Sequence, residues 1–345
     1  MTKFETYLNG YDEATWTSAL ERLLFEIHEV DRIATQVWFR FYPLALHQYL
    51  ESAEDKEKTI GRFVMQGDYE LNDQIDSSHS FLYGHRFWKE VKAEIEKRAE
   101  SFENEDPDLA DEIRTIAKDV AGKAKKDVSL LIGITAVGLM TLVQTGLEAF
   151  KNASGETEKP SGVIKNSPEK IVEMRKTDDS QGLLGFLKTV NKEYTVVYDE
   201  TQKGAKFRIF SEEEIASASA RDQSQNWRER DERCIEGVIP VECRSASCGT
   251  CWVGILGGAE KLSEVAPLER KRMRVFGYGQ DEDEKPFMRL ACQAKAYGNV
   301  HLVIPPWNGV FGKKVYGNVE RVELEPATTS AAKLREMIES ATSEK

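Results

Sequence analysis

Four of the five cysteines in this chain form one pattern, C-x4-C-x2-C with a distant fourth cysteine. They are Cys243, Cys248, Cys251 and Cys292. Thiolates bind iron and zinc well, and this spacing is that of a two-iron, two-sulfide cluster held by four cysteines. The pattern therefore predicts a [2Fe–2S] cluster whose ligands are these four residues.

Other uses of these cysteines fit the sequence less well. Structural zinc sites usually take two paired knuckles, and the chain has one such pair, Cys248 and Cys251. The same two cysteines lie too close for an ordinary structural disulfide. The N-terminal residues show no apolar signal segment that would direct the chain to an oxidising compartment. A set of unrelated buried cysteines is the simplest remaining alternative.

Small side chains fill every position between the first three cysteines except Arg244. These positions hold Ser245, Ala246, Ser247, Gly249 and Thr250. A loop that wraps a cluster turns its backbone N–H groups toward sulfur, and bulky side chains would obstruct it. Such N–H···S bonds, together with burial and local charge, tune a reduction potential. We therefore expect these five residues, together with Arg244, to surround the ligands.

At this loop the sequence resembles the plant-type [2Fe–2S] ferredoxins, whose fold is the β-grasp. The family has Cys-Arg-x-Gly-x-Cys-x-x-Cys, which the chain matches at the three cysteines and at Arg244. It departs at Ala246, where the family usually has glycine, and glycine tolerates backbone conformations that strain other residues. The stretch Arg289-Leu-Ala-Cys-Gln293 also resembles the strand that carries the family's fourth ligand.

The resemblance extends from about Glu193 to Pro306, a third of the chain. The gap between Cys251 and Cys292 is longer than usual in the family, and the acidic residues 280–285 are the expected insertion. The resemblance implies a β-grasp domain that passes single electrons between a reductase and an acceptor. Cys234, the odd cysteine, is expected to be a small buried side chain without a redox role.

Residues 1–105 have the pattern of an all-helical domain, and they resemble no family that the sequence reveals. Asp12 caps a segment whose apolar residues repeat at helical spacing. Four of the five histidines lie here: His28, His47, His79 and His85. Two of them would be enough to ligate haem or a metal. No two share an i, i+4 face, so scattered polar or partly buried histidines are the favoured interpretation.

A long helix is predicted over residues 106–150, starting at Asp106-Pro107. Its segment 128–147 carries no charge and is long enough to span a bilayer. Basic residues crowd its N-terminal side, so the positive-inside rule would place the following domain outside the cytoplasm without an export signal. The alternatives are a helix buried in the N-terminal domain, a contact with a membrane complex, or packing against another subunit. The sequence leaves this choice open.

The remaining segments complete an α+β architecture. We expect a linker with short helices over residues 151–192, the ferredoxin-like domain over 193–310, and a tail with a short helix over 311–345. Within the domain the pattern predicts a hairpin, a helix from Ser211 to about Cys234, and three further strands. Hairpin, helix and strands in this order are typical of a β-grasp sheet.

A net charge of −12 argues against a general nucleic-acid binder. A cluster held by four thiolates has no open coordination position, so its expected task is one-electron transfer between a redox donor and acceptor. No residue stands out as catalytic, and a non-catalytic carrier, fixed in or tethered to a larger redox complex, is favoured over an enzyme. We expect a cytoplasmic protein, with membrane association through residues 128–147 left open.

Two other classes of function stay open. One is the iron–sulfur component of an oxidoreductase whose second cofactor lies in the helical domain. No G-x-G-x-x-G follows a strand, so the chain shows no evident flavin or nicotinamide site of its own. The other is a redox sensor or scaffold in which the state of the cluster changes a partner contact.

Overall fold

The computed structural model describes residues 1–103, 107–177, 192–278 and 285–317. The chain divides into two compact units. The first, here called the helical unit, comprises residues 1–54, 68–173 and 200–203. The second, the sheet unit, comprises residues 55–67, 174–199 and 204–345. Helices in the first and a mixed sheet in the second confirm the predicted α+β class.

The first part of the chain is mainly helical. Its helices are α1 Lys3–Asn9, α2 Glu13–Leu23, α3 Glu29–Phe41, α4 Leu44–Glu51, α5 Lys56–Arg62, α6 Trp88–Ser101, α7 Leu109–Ala124, α8 Ser129–Asn152 and α9 Pro168–Lys176. Short 3-10 turns cover Leu71–Gln74, Tyr83–Phe87 and Val163–Lys165. Asp12 caps α2 as predicted, since its carboxylate accepts a hydrogen bond from the backbone of Thr15.

Helix α8 is the core of the helical unit. It is the one helix in the described part of the chain that is long and apolar enough to cross a membrane, and 89% of its apolar window is buried inside the protein. Gly133 lies against Thr35 of α3, and Gly138 lies against Trp88 and Ile95 of α6. Burial against neighbouring helices accounts for the apolar composition, and this favours the buried-helix alternative for residues 128–147.

The single helix predicted from residue 106 to about 149 is wrong. The chain forms two helices, α7 and α8, because Lys125 adopts the left-handed conformation (φ 52°) and ends the first. The carboxylate that caps α7 belongs to Asp108, which accepts from the backbone of Ala110 and Asp111. A non-glycine residue at positive φ carries little sequence signal, so the helical periodicity runs on across the break.

The sheet unit contains a five-stranded mixed sheet in the order β3-β2-β6-β4-β5. Its strands are β2 Glu193–Val197, β3 Lys206–Phe210, β4 Trp252–Gly257, β5 Met288–Leu290 and β6 Val300–Val303. Strands β2 and β3 form the predicted antiparallel hairpin, β6 pairs in parallel with β2, and β4 pairs antiparallel with both β5 and β6. The helices of this part are α10 Ile215–Arg221, α11 Trp227–Arg230, α12 Pro267–Phe276 and α13 Gly312–Tyr316.

The continuous helix predicted from Ser211 to about Cys234 is also wrong. Helix α10 ends before Asp222, whose backbone is extended, and α11 is a single short turn. The indole of Trp227 donates to the backbone oxygen of Asp222 at 2.6 Å and fixes the intervening bend. Polar residues such as those at 222–226 bond to nearby backbone and compete with helical hydrogen bonds.

A two-stranded antiparallel pair links distant parts of the sequence. Strand β1 (Gln66–Gly67) pairs with β7 (Trp307–Asn308). The backbone N–H of Val310 donates to the oxygen of Phe63 at 2.7 Å. Residues 55–67, which precede most of the helical unit in sequence, therefore belong to the sheet unit. Residues 178–191 of the predicted linker, residues 318–345 of the predicted tail and most of the acidic segment 280–285 lie outside the described residues.

Candidate metal centre

The register of two strands brings two of the four predicted ligands together. Cys251 directly precedes β4, and Cys292 follows β5 by two residues. Trp252 and Leu290 are paired across these antiparallel strands, and the backbone N–H of Ala291 donates to the oxygen of Cys251 at 2.8 Å. The fourth cysteine thus reaches the cluster loop through sheet pairing, although it is distant in sequence.

The four thiols form two pairs. Cys243 interacts directly with Cys248, and Cys251 interacts directly with Cys292. The hydrogen bond with Cys248 lowers the pKa of Cys243 to about 4 despite burial, whereas the same bond raises the pKa of Cys248. The hydrogen bond with Cys292, reinforced by burial, raises the pKa of Cys251. All four are free thiols, three buried and Cys248 half-buried.

The four thiols lie as two pairs, and four thiolates are the ligand set of a [2Fe–2S] cluster. Among the described residues, no group of three or more His, Cys, Asp or Glu side chains is arranged to hold a single metal ion. A two-iron cluster would take its four protein ligands from these two pairs of thiols. The donor chemistry of the loop therefore fits a [2Fe–2S] cluster, which Cys243, Cys248, Cys251 and Cys292 would hold.

Backbone and hydroxyl donors surround the sulfur atoms. The N–H groups of Ser245 and Ser247 donate to Sγ of Cys243 at 3.4 and 3.2 Å. The hydroxyl of Thr250 lies 3.1 Å from Sγ of Cys248. Donors of this kind stabilise thiolate charge and favour the more negative, reduced state of a cluster. The structure thus places these three residues at the ligands.

Left-handed backbone conformations turn the loop around the sulfurs. Arg244 and Ala246 have φ of 55° and 56°, and Gly249 has φ of 74°. Residues that alternate with left-handed neighbours present successive N–H groups to one side, which makes an anion-binding concavity. Ala246, where the related family usually has glycine, adopts the conformation that glycine would favour. Its departure from the family pattern therefore changes local strain by about 1 kcal/mol and leaves the course of the loop intact.

A buried ion pair holds the strand that leads to Cys292. Glu269 of α12 and Arg289 of β5 are 0% and 1% exposed. The carboxylate accepts from Nε of Arg289 at 2.9 Å, from Nη2 of Arg289 at 3.0 Å and from the backbone N–H of Leu290 at 3.1 Å. Sequence analysis singled out Arg289 through its place beside the fourth cysteine. It missed Glu269, because an acidic residue in the first turn of a helix is common and carries no sign of burial.

The odd cysteine has different surroundings. Cys234 is buried, and its thiol donates to the backbone oxygen of Val238 at 3.0 Å. Burial raises the pKa of this thiol to about 12. A neutral thiol with a backbone partner behaves as a small buried side chain, in line with the role expected for it.

Two of the N-terminal histidines form a pair that the sequence did not indicate. His79 and His85 are buried, and their Nδ1 atoms lie 2.8 Å apart. Nε2 of His79 lies 3.2 Å from the oxygen of Ile75, which can only accept, so His79 donates there and accepts from His85. Burial lowers both pKa values, that of His85 to about 4. His85 lies in the 3-10 turn Tyr83–Phe87, and it is six residues from His79, a separation that differs from the i, i+4 spacing sought in the sequence.

Residues 217–297 match the family model of the 2Fe-2S iron-sulfur cluster binding domain. The matched segment contains all four cysteines, and it confirms the resemblance and the cofactor predicted for the C-terminal third of the chain. This domain binds a 2Fe-2S cluster. No solved structure matches the chain. The helical unit thus stays without an assigned family.

Proposed function

We propose that Cys243, Cys248, Cys251 and Cys292 hold the [2Fe–2S] cluster and that the protein transfers single electrons. The observation that carries this proposal is the arrangement of the thiols in two pairs, with backbone N–H groups directed at sulfur. The cluster supplies one reversible electron acceptor, and its four thiolates leave no open position for substrate. One-electron transfer is therefore the function that the site supports best.

The protein residues control how the electron reaches a partner. Arg244 and Ser245 are exposed, whereas Cys243 beneath them is buried. A partner that approaches this face is separated from the ligands by a thin layer of loop. The N–H donors of the loop are fixed before the electron arrives, so little reorganisation accompanies the change in charge. The exposed loop is accordingly the proposed site of electron entry and exit.

We further infer that the chain works with a separate redox donor and acceptor, as a subunit or tethered partner of a larger redox complex in the cytoplasm. Free cysteines are typical of a reducing compartment, and the chain has a second compact unit, the helical unit, in addition to the cluster domain. The burial of α8 supports attachment through protein contacts rather than through insertion of residues 128–147 into lipid. Isolation of the tagged protein from soluble and carbonate-washed membrane fractions tests this placement, and retention in the washed membrane would contradict it.

An electron-counting experiment tests the carrier function. The protein, reduced with dithionite and freed of excess reductant without oxygen, is mixed with oxidised cytochrome c as a one-electron acceptor. We expect one cytochrome reduced per chain, with the visible bands of the cluster returning in step. Cys248→Ser, whose cluster should be lost or strongly perturbed, should reduce less than one cytochrome per chain, and Cys234→Ser should match the wild type. Zinc in place of iron, or a cluster that reduces without passing its electron on, would overturn the proposal.

A further inference from the structure

Arg244 connects the cluster loop to three other segments. Its Nε and Nη2 donate to Oε2 of Glu236 at 3.0 and 2.5 Å. Its Nη1 donates to the hydroxyl of Ser217 in α10 at 3.2 Å. Its backbone oxygen lies 3.5 Å from Nε2 of Gln293, which also donates to the backbone oxygen of Cys292 at 2.9 Å. Arg244 thus connects the loop of Cys243 by hydrogen bonds to α10, to the segment before the loop, and to the turn after β5 that contains Cys292.

The backbone of Arg244 needs this support. It adopts the left-handed conformation (φ 55°), which costs a residue with a side chain free energy unless its surroundings hold it there. In this conformation the following residue directs its N–H to Sγ of Cys243. A two-point contact of the guanidinium with one carboxylate oxygen and a third contact with Ser217 restrict the rotation of the side chain. Loss of these contacts would release the loop and its donors to sulfur.

The same contact sets the charge beside the cluster. Arg244 carries a positive charge next to a ligand, and Glu236 compensates it within hydrogen-bond distance. An electron added to the cluster increases its negative charge, so an uncompensated cation nearby would stabilise the reduced state and an uncompensated anion would destabilise it. The pair therefore has a signed electrostatic effect in addition to its mechanical one.

We propose that Arg244 and Glu236 form a charge-compensated clamp that positions the cluster loop and sets the reduction potential of the cluster. Both are positioning residues, since they act through the loop and through their field rather than by ligation. The proposal rests on the ligand assignment above. It goes beyond it by assigning the potential to two residues that contact no iron.

Single and double variants separate the electrostatic role from a purely structural one. The measurement is a redox titration, followed by the electron paramagnetic resonance signal of the reduced cluster, with iron and sulfide counted in each sample. Glu236→Gln removes the compensating anion and should shift the potential in the positive direction. Arg244→Gln removes the cation and should shift it in the negative direction. The double variant should return toward the wild-type potential, and both single shifts should shrink as salt is added.

Arg244→Lys tests the positioning role. Lysine keeps the charge but lacks the planar fork. We expect it to keep a near wild-type potential while losing iron to a chelator roughly two- to fivefold faster, the range for a partly exposed ion pair. A matched control is the pair Arg221–Glu213, whose side chains are 41% and 19% exposed against 39% and 14% for Arg244 and Glu236. Arg221 bonds to the β3 backbone at Arg208, so Glu213→Gln should leave the potential unchanged.

The results distinguish failure of the clamp from failure of the proposed function. Shifts of one sign for both single variants, or shifts equal to that of Glu213→Gln, would overturn the clamp while intact iron and sulfide leave the carrier function standing. Absence of a cluster from the wild type would overturn both. If Arg244→Gln loses its cluster during purification, Glu236→Gln decides alone: a positive shift supports the clamp, and no shift or a negative one refutes it.

Discussion

The buried ion pair between Glu269 and Arg289 yields the sharpest stability prediction. Glu269→Gln keeps the shape of the side chain but removes its charge, and it leaves the guanidinium of Arg289 buried without a counter-charge. Two of the three hydrogen bonds to the carboxylate come from Arg289, and the third comes from the backbone of Leu290, two residues before Cys292. The change therefore loosens the strand that delivers the fourth ligand.

The expected magnitude follows from the burial of both partners. Breaking a buried pair by removal of one charge costs about 3–5 kcal/mol, because the remaining charge stays desolvated. The equivalent change in a partly exposed pair, Glu213→Gln against Arg221, should cost at most about 1 kcal/mol. If the unfolding free energy falls by roughly 2 kcal/mol per molar urea, Glu269→Gln lowers the unfolding midpoint by about 2 M and Glu213→Gln lowers it by less than about 0.5 M.

Urea titration without oxygen, followed by bleaching of the visible cluster bands and by tryptophan fluorescence, measures these shifts. The double variant Glu269→Gln/Arg289→Met also removes the guanidinium and should recover part of the lost stability, because the amide oxygen at position 269 still accepts from the backbone of Leu290 and no buried charge stays unpaired. Equal midpoints for Glu269→Gln and Glu213→Gln would refute the reasoning. So would a double variant less stable than the single one, since the loss would then come from packing rather than from the unpaired charge.

Two further predictions concern the cluster loop and the helical unit. Gly249→Ala should lower the unfolding free energy by about 1–3 kcal/mol and speed iron loss, because the residue is left-handed and the added Cβ meets the ring of Phe276 at 3.1 Å. Gly204→Ala is the control for the cost of the left-handed backbone alone, since Gly204 also has positive φ and its Cβ would meet nothing within 4 Å. An equal loss of unfolding free energy in both variants would contradict the effect of the ring contact. Burial lowers the pKa values of His79 and His85 below the ordinary 6.5, that of His85 to about 4. Between about pH 6.5 and 4 the unfolded chain therefore binds more protons than the folded one, and the unfolding free energy of the helical unit should fall as pH falls through this window. The double variant His79→Phe/His85→Leu should reduce this pH dependence when unfolding is measured across the window, and an unchanged pH dependence would contradict the lowered pKa values.

Most of the candidate centre could be predicted from the sequence, because the residues that indicate it lie close together along the chain. Three of the four proposed ligands lie on one short loop, and the stretch from Arg289 to Gln293 marks the segment of the fourth. Small residues at the intervening positions correctly indicated a loop whose backbone approaches sulfur, and Ser245 and Ser247 donate as expected. The hairpin β2–β3 was equally predictable, since two alternating apolar runs flank a turn with glycine.

Features that depend on tertiary contacts escaped prediction. The break between α7 and α8 rests on a left-handed lysine, Lys125, which no residue preference marks. His79 pairs with His85 because the 3-10 turn Tyr83–Phe87 places His85 beside it. Residues 55–67 join the sheet unit because β1 pairs with β7, a strand far along the chain. The apolar segment 128–147 meets a criterion of length and composition that buried core helices and membrane spans share. Packing against neighbouring helices distinguishes the two kinds of helix, and the sequence alone does not show it.

Electron paramagnetic resonance of the reduced protein and its cysteine variants tests the central claim most directly, with iron and sulfide counted alongside. The account predicts a rhombic S = 1/2 signal with two irons and two sulfides per chain for the wild type. Serine at Cys243, Cys248, Cys251 or Cys292 should abolish or strongly perturb the signal, whereas Cys234→Ser should leave it unchanged. An unaltered signal and iron content in Cys248→Ser, or loss of iron in Cys234→Ser, would contradict the ligand assignment and the electron-transfer function built on it.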